Sequence, residues 1–182
     1  NVGVITDVSG SMRWAENFVA SSAWIISRAV RHVNGKSAAA VFGEVAEPIL
    51  GPNDKLKQVI VREACDGSEA FNSACAAVTG LLRLDDPGNG ARILFVISDG
   101  HLVAPGELPA AAKWVKHLNK SVCAVIWLTN TDPKTKYDGV HPAVPKGAQA
   151  IQVKGGYGAD IKFAGKLQDT VISEITKAYA NR

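Results

Sequence analysis

Several things are scarce in this chain of 182 residues, and each scarcity excludes a class of protein. Cysteine occurs only three times, as Cys65, Cys75 and Cys123, with no Cys-x-x-Cys pair. That argues against a disulfide framework and against a thiolate zinc site. Cys123 lies in an apolar run and reads as a buried thiol. The count favours free thiols over a Cys65–Cys75 disulfide, and this leans towards an intracellular setting. No run of about 18 uncharged apolar residues exists, so no transmembrane helix is expected. No signal peptide is visible. Asn1 stands almost at the first apolar run with no methionine before it, and we expect an excised domain. Charge of one sign is also lacking. The net charge of +3 is mild and unclustered, unlike the basic footprint of a nucleic-acid binder.

The usual enzyme signatures are missing as well. There is no GxxxxGK[ST] loop, no GxGxxG after the first strand, no GxSxG elbow and no HExxH. A phosphatase with an aspartyl nucleophile would want a second acid two residues after Asp7, and Ser9 stands there. The chain is therefore not expected to be an enzyme.

What is present is a core. Hydrophobic residues make up 47% and charged residues 20%, which fits one globular domain spanning 1–182. Val2 to Thr6 is a short β-branched run and predicts a buried strand. Trp14 to Val33 carries apolar residues at spacings of three and four, the pattern of an amphipathic helix closed by Asn34-Gly35. Ala38 to Phe42 and Val45 to Leu50 lie close enough together to form a tight antiparallel hairpin. Asp54 to Arg62 predicts a short helix, and Glu69 to Leu84 a longer one capped by Ser68. Ile93 to Ile97 is wholly apolar and predicts a strand, as does Val122 to Leu128. Helices are expected over Glu107 to Leu118 and Asp160 to Tyr179, a last strand over Ala148 to Val153, and a long loop over Thr129 to Gly147. The alternation implies an α/β fold: a doubly wound, mostly parallel six-stranded sheet with one antiparallel edge strand and helices on both faces. Ligands bind such sheets at the carboxyl ends of the strands. Asp7 and Asp99 both stand there.

The run Asp7-Val8-Ser9-Gly10-Ser11 places three oxygen-bearing side chains at alternate positions just past a strand. Residues two apart in extended backbone face one side, so the three can converge. Hydroxyl and carboxylate oxygens suit a hard cation such as Mg²⁺. The motif alone is weak. Strand-end turns and helix capping would explain Asp7 and Ser9, but not the addition of Asp99 and of Ser68, which follows Asp66-Gly67.

Together these segments resemble the von Willebrand factor A domain with its metal-ion-dependent adhesion site, of the bacterial rather than the integrin type. Ile5 to Met12 is similar to the family's first metal segment. Asp66-Gly67-Ser68-Glu69 falls where the family carries Gly-Thr, and Phe95 to Gly100 is similar to a third segment that usually ends Thr-Asp-Gly. Two positions depart from the pattern: Ser68 and Ser98 each stand for threonine. The resemblance covers nearly the whole chain. It implies a metal held by Asp7, Ser9, Ser11, Ser68 and Asp99, with Mg²⁺, Mn²⁺ or Ca²⁺ as the cofactor and Zn²⁺ disfavoured by the all-oxygen set. It also implies a protein partner that presents an Asp or Glu to the cation, in settings such as AAA+ ATPase or chelatase-type assemblies. A Mg²⁺-dependent hydrolase and an RNA-binding module are the alternatives. His101 is the only candidate base for the former, and it is otherwise expected to be a surface residue without a role. His32 and His117 are expected to be solvated. Trp14 fits a partner surface or the core equally well, and the loop Thr129 to Gly147 is expected to shape partner choice.

Overall fold

The structure is a computed structural model that describes residues 1–55, 57–64, 67, 70–102, 104–129, 142–152 and 161–180; the side chains of Trp14, 161–168, 178 and 179 lie outside the description. Among the described residues six strands and four α-helices follow in the order β1 (Val2–Asp7), α1 (Glu16–His32), β2 (Ser37–Phe42), β3 (Ala46–Leu50), α2 (Phe71–Leu82), β4 (Ile93–Ile97), α3 (Glu107–Lys120), β5 (Ala124–Thr129), β6 (Gln149–Gln152) and α4 (Ile161–Ala180). A 3₁₀ turn, Gly10–Ala15, joins β1 to α1.

The strands form one sheet in the order β3-β2-β1-β4-β5-β6. Every pairing is parallel except β2 with β3, the antiparallel hairpin at one edge. Period-two alternation sorts the apolar side chains into two cores. Val2, Val4, Ile93, Phe95 and Ile97 meet α1 and α4 on one face. Ile5, Leu94, Val96, Val125 and Trp127 meet α2 and α3 on the other. Strands covered on both faces become almost wholly apolar, which is why Ile93–Ile97 is so legible. Among the described residues no helix is long and apolar enough to cross a membrane.

Helix α2 is anchored at its start. The Phe71 ring meets Phe42 edge-on at 5.3 Å and stacks on Trp127 at 5.9 Å. Ala70 N–H donates to Gly43 O at 3.2 Å. Further along, α2 crosses β1 at Gly3, where a Cβ would lie 2.5 Å from Val78 and 2.9 Å from Leu84. Only a glycine permits this close helix–strand approach.

Three expectations need correction. The helix expected at Asp54 to Arg62 does not form in the described residues of that segment. Asp54 folds into a turn instead, its carboxylate accepting from Gly51 N–H at 2.7 Å. Val59 and Val61 alternate rather than recur at helical spacing and remain largely exposed, so no apolar stripe drives a helix onto the core. Arg62 pairs with Glu47 of β3, and Ala64 N–H donates to the Glu16 carboxylate at 2.8 Å; these contacts tie the end of the segment to β3 and α1. Secondly, α2 begins at Phe71 with Ala70 as its N-cap and no side-chain cap, two residues later than expected. Ser68 lies outside the described residues. Thirdly, the expected helix at Trp14 starts as the 3₁₀ turn and becomes α-helical only at Glu16. Cys75 and Cys123 are free and buried, as the cysteine count suggests, and Cys65 lies outside the described residues.

Candidate metal centre

The sheet builds the site before any side chain is considered. β1 and β4 are neighbours, and their connections leave towards opposite sides of the sheet, to β2 and to β5. Such a reversal of strand order is where open α/β sheets place their ligands, at the carboxyl ends. The ladder continues one residue past each strand. Val8 N–H donates to Phe42 O at 2.8 Å, and Ser98 N–H to Leu128 O at 3.2 Å. Asp7 and Asp99 therefore occupy defined places at the carboxyl ends of these two strands.

Asp7 is 0% exposed and Asp99 2%. The Asp7 carboxylate is held from two directions. Oδ1 accepts from Ser9 N–H at 2.8 Å, and Oδ2 accepts from the Ser98 hydroxyl at 2.6 Å. Ser98 Oγ in turn accepts from Gly100 N–H at 3.0 Å. Asp99 Oδ1 accepts from His101 N–H at 2.9 Å. His101 Nδ1 lies 3.1 Å from Asp99 Oδ2.

Ser9 and Ser11 do converge, their hydroxyl oxygens 3.2 Å apart. The route differs from the extended run expected. Ser9 is extended, with φ −65° and ψ 163°, but Ser11 already belongs to the 3₁₀ turn, closed by Met12 N–H donating to Ser9 O at 2.9 Å. A tight turn of three residues brings the two hydroxyls together as well as a pleat would.

Burial pushes the Asp7 carboxyl up to about 6, and the negative charge of Asp99 adds to the rise; the hydrogen bonds from Ser9 and Ser98 oppose it. A cation placed between two buried carboxylates that repel each other would relieve that repulsion. The donor set consists of carboxylate and hydroxyl oxygens, which suits a hard divalent ion. Among the described residues no group of three or more His, Cys, Asp or Glu side chains is placed to hold a metal ion, so any cation here would depend on the serine hydroxyls as well.

Of the five expected ligands, the structure brings Asp7, Ser9, Ser11 and Asp99 to one strand edge, and Ser68 lies outside the described residues. Two further residues differ from the sequence reading. Ser98, noted there only as standing for threonine, holds Asp7. His101, expected there as a surface residue unless it serves as a base, is 3% exposed. Their positions flanking Asp99 at a strand end were the available signal. His32 and His117 are exposed, as expected. Most of the loop Thr129 to Gly147 lies outside the described residues. Its end is tied to the site by Ala143 N–H donating to Gly100 O at 3.0 Å.

No family model matches the sequence, and no curated protein matches it. Solved structures do. An aerotolerance-related membrane protein from Bacteroides fragilis aligns over 97% of this chain and 98% of its own, with a TM-score of 0.58 and 18% identity. The pilus adhesin SpaC from Lactobacillus rhamnosus GG, in an open conformation, aligns over 99% of this chain and 30% of its own, with a TM-score of 0.62 and 11% identity. Proximal thread matrix protein 1 from the mussel byssus, with a zinc-occupied MIDAS motif, aligns over 98% of this chain and 48% of its own, with a TM-score of 0.56 and 12% identity. At these identities the likeness is one of fold, an α/β fold with a six-stranded mixed sheet, five strands parallel and one antiparallel.

Proposed function

We propose that the strand-end cluster holds a divalent cation and that the domain uses it to capture a carboxylate presented by another protein. One observation carries this reading: two buried, mutually repelling carboxylates, Asp7 and Asp99, share a strand edge with the hydroxyl pair of Ser9 and Ser11. Asp7, Ser9, Ser11 and Asp99 would hold the ion, with Ser68 as the fifth ligand. When bound, the cation supplies an electrophilic position that an Asp or Glu of a partner can fill. The chain's own residues do the rest. Ser98 and Ser9 N–H fix the two oxygens of Asp7, and His101 N–H fixes Asp99. Preorganised ligands bind with less loss of freedom.

Mg²⁺, Mn²⁺ and Ca²⁺ fit the oxygen set. The zinc in the MIDAS motif of the mussel protein adds Zn²⁺ to the ions worth testing, against the expectation from ligand softness alone. The adhesin among the structural neighbours supports an interaction role at the level of fold. A Mg²⁺-dependent hydrolase is the second reading, favoured by His101 standing beside Asp99. A turnover screen with phosphoester and peptide substrates separates the two.

Calorimetry with each ion on wild type and Asp7→Ala tests the metal. Equal affinity in both would remove the site. A pull-down against a candidate partner with and without chelator tests the purpose. Capture that survives chelation would exclude the cation from recognition.

A further inference from the structure

Helix α1 follows β1 from the sheet's carboxyl edge and runs back along it. Its last turn therefore lies at the opposite, amino edge, where Gly35 N–H donates to Val30 O and Val2 N–H to Lys36 O. A groove of about 610 Å³ opens there between α1 and α4, lined in part by Trp24, Ile25, Arg28, Ala29 and Ile172. Its floor is apolar, and Ile172 is 44% exposed. Its rim carries two arginines, Arg28 and Arg31, with His32 beside them. The Arg28 guanidinium lies 5.5 Å from the Trp24 ring centroid. Among the described residues neither arginine makes an ion pair with an acidic side chain. The Trp24 indole N–H, buried, has no hydrogen-bond partner among the described residues.

Basic residues in a last helical turn are favoured by the helix dipole alone. The dipole does not call for an arginine laid over a tryptophan beside a half-apolar groove. An arginine that already covers an aromatic face is arranged to receive a carboxylate at its edge. Two arginines are too few for the many phosphate contacts that drive nucleic-acid binding. The apolar floor calls for a side chain, not for a free anion.

We propose that this groove is a second docking site, remote from the metal centre, which takes an acidic segment of a partner protein carrying an apolar anchor residue. The carboxylates would meet Arg28, Arg31 and His32, and the anchor would seat against Ile25, Ala29 and Ile172. The site needs no cation, so its fate is separable from that of the metal reading.

The test is fluorescence anisotropy with a labelled helical peptide that places two leucines four residues apart among glutamates. Chelator is present throughout. Binding by wild type, unchanged in Asp7→Ala and weakened at least about tenfold by the Arg28→Glu/Arg31→Glu double variant, is expected; tenfold corresponds to about 1.4 kcal/mol. The Arg31→Glu/His32→Glu variant leaves the Arg28–Trp24 contact intact and should weaken binding in the same direction. Far-ultraviolet circular dichroism verifies that each variant is folded. The proposal fails if wild type does not bind at about 1 mM peptide, or if the charge reversals leave affinity unchanged. It also fails if a peptide with serine in place of both leucines binds equally well, or if a single-stranded RNA of equal charge binds more tightly.

Discussion

Ser98 donates its hydroxyl hydrogen to Asp7 Oδ2 across 2.6 Å and across 91 positions of sequence, joining the ends of two neighbouring strands through one buried contact. The bond stabilises the ionised form of Asp7 against burial and against Asp99. Ser98→Ala should therefore weaken divalent-metal binding, by about 10- to 100-fold if it acts as partners of metal ligands usually do. Ser98→Thr keeps the hydroxyl and should stay close to wild type. Calorimetric titration of both variants checks this, and an alanine variant with wild-type affinity would deny Ser98 its role.

That contact also marks where sequence reading stops. Asp7, Ser9 and Asp99 were legible because strands ending in polar residues can be recognised from local pattern alone. Ser98 was legible only as standing for threonine, because its partner is set by the pairing of β1 with β4, which no local window contains. His101 looked solvated for a similar reason, since its burial depends on how the turn after β4 packs. The strands along the chain were readable from their apolar runs, and the antiparallel hairpin at Gly43 from the short gap between β2 and β3. The helix expected at Asp54 to Arg62 was not refuted by propensity. It is overruled by Glu47 and Glu16, which hold the segment from elsewhere in the chain.

The raised carboxyl of Asp7 predicts a pH dependence. Its pKa in the folded, metal-free domain is about 6, against 3.8 for the free group. The folded state thus binds this proton more tightly than the unfolded state. The resulting stabilisation is complete below about pH 3.8 and is lost as pH rises through about 6. A difference of that size corresponds to a free energy on the order of 3 kcal/mol. Asp7→Asn should remove this dependence and make the metal-free domain more stable than wild type at pH 8. Urea unfolding in chelator at pH 5 and pH 8 measures it; an identical pH dependence in both proteins would contradict it.

Metal should reverse that penalty. A ligand that binds only the folded state at one hundred times its dissociation constant stabilises by about 2.7 kcal/mol. Added Mg²⁺ or Mn²⁺ should raise the melting temperature of wild type at pH 8 and leave Asp7→Ala unmoved. The gain should shrink below pH 6, where protons compete for Asp7. A thermal shift of equal size in the alanine variant would point to binding elsewhere.

Gly3 offers a test of the packing that carries the site. An alanine there would bring its Cβ within 3.0 Å of Val78, Leu84 and Leu94 together. Overpacking of this kind costs about 1–3 kcal/mol. Gly3→Ala should lower urea stability by that order, and Gly3→Ala/Val78→Ala should recover part of the loss. A double variant no better than the sum of its two single variants would show that the strain lies elsewhere.

Gly100 sits between Asp99 and His101 with φ of +83°, and a Cβ on it would lie 3.0 Å from Ala143 N and 3.1 Å from Ala143 O. Its carbonyl also receives the Ala143 N–H. A larger residue would be strained by the dihedral and crowded in the gap. The turn that carries Asp99 and the backbone at Ala143 share a seam, so a ligand that shifts one of them must carry the other along or break it.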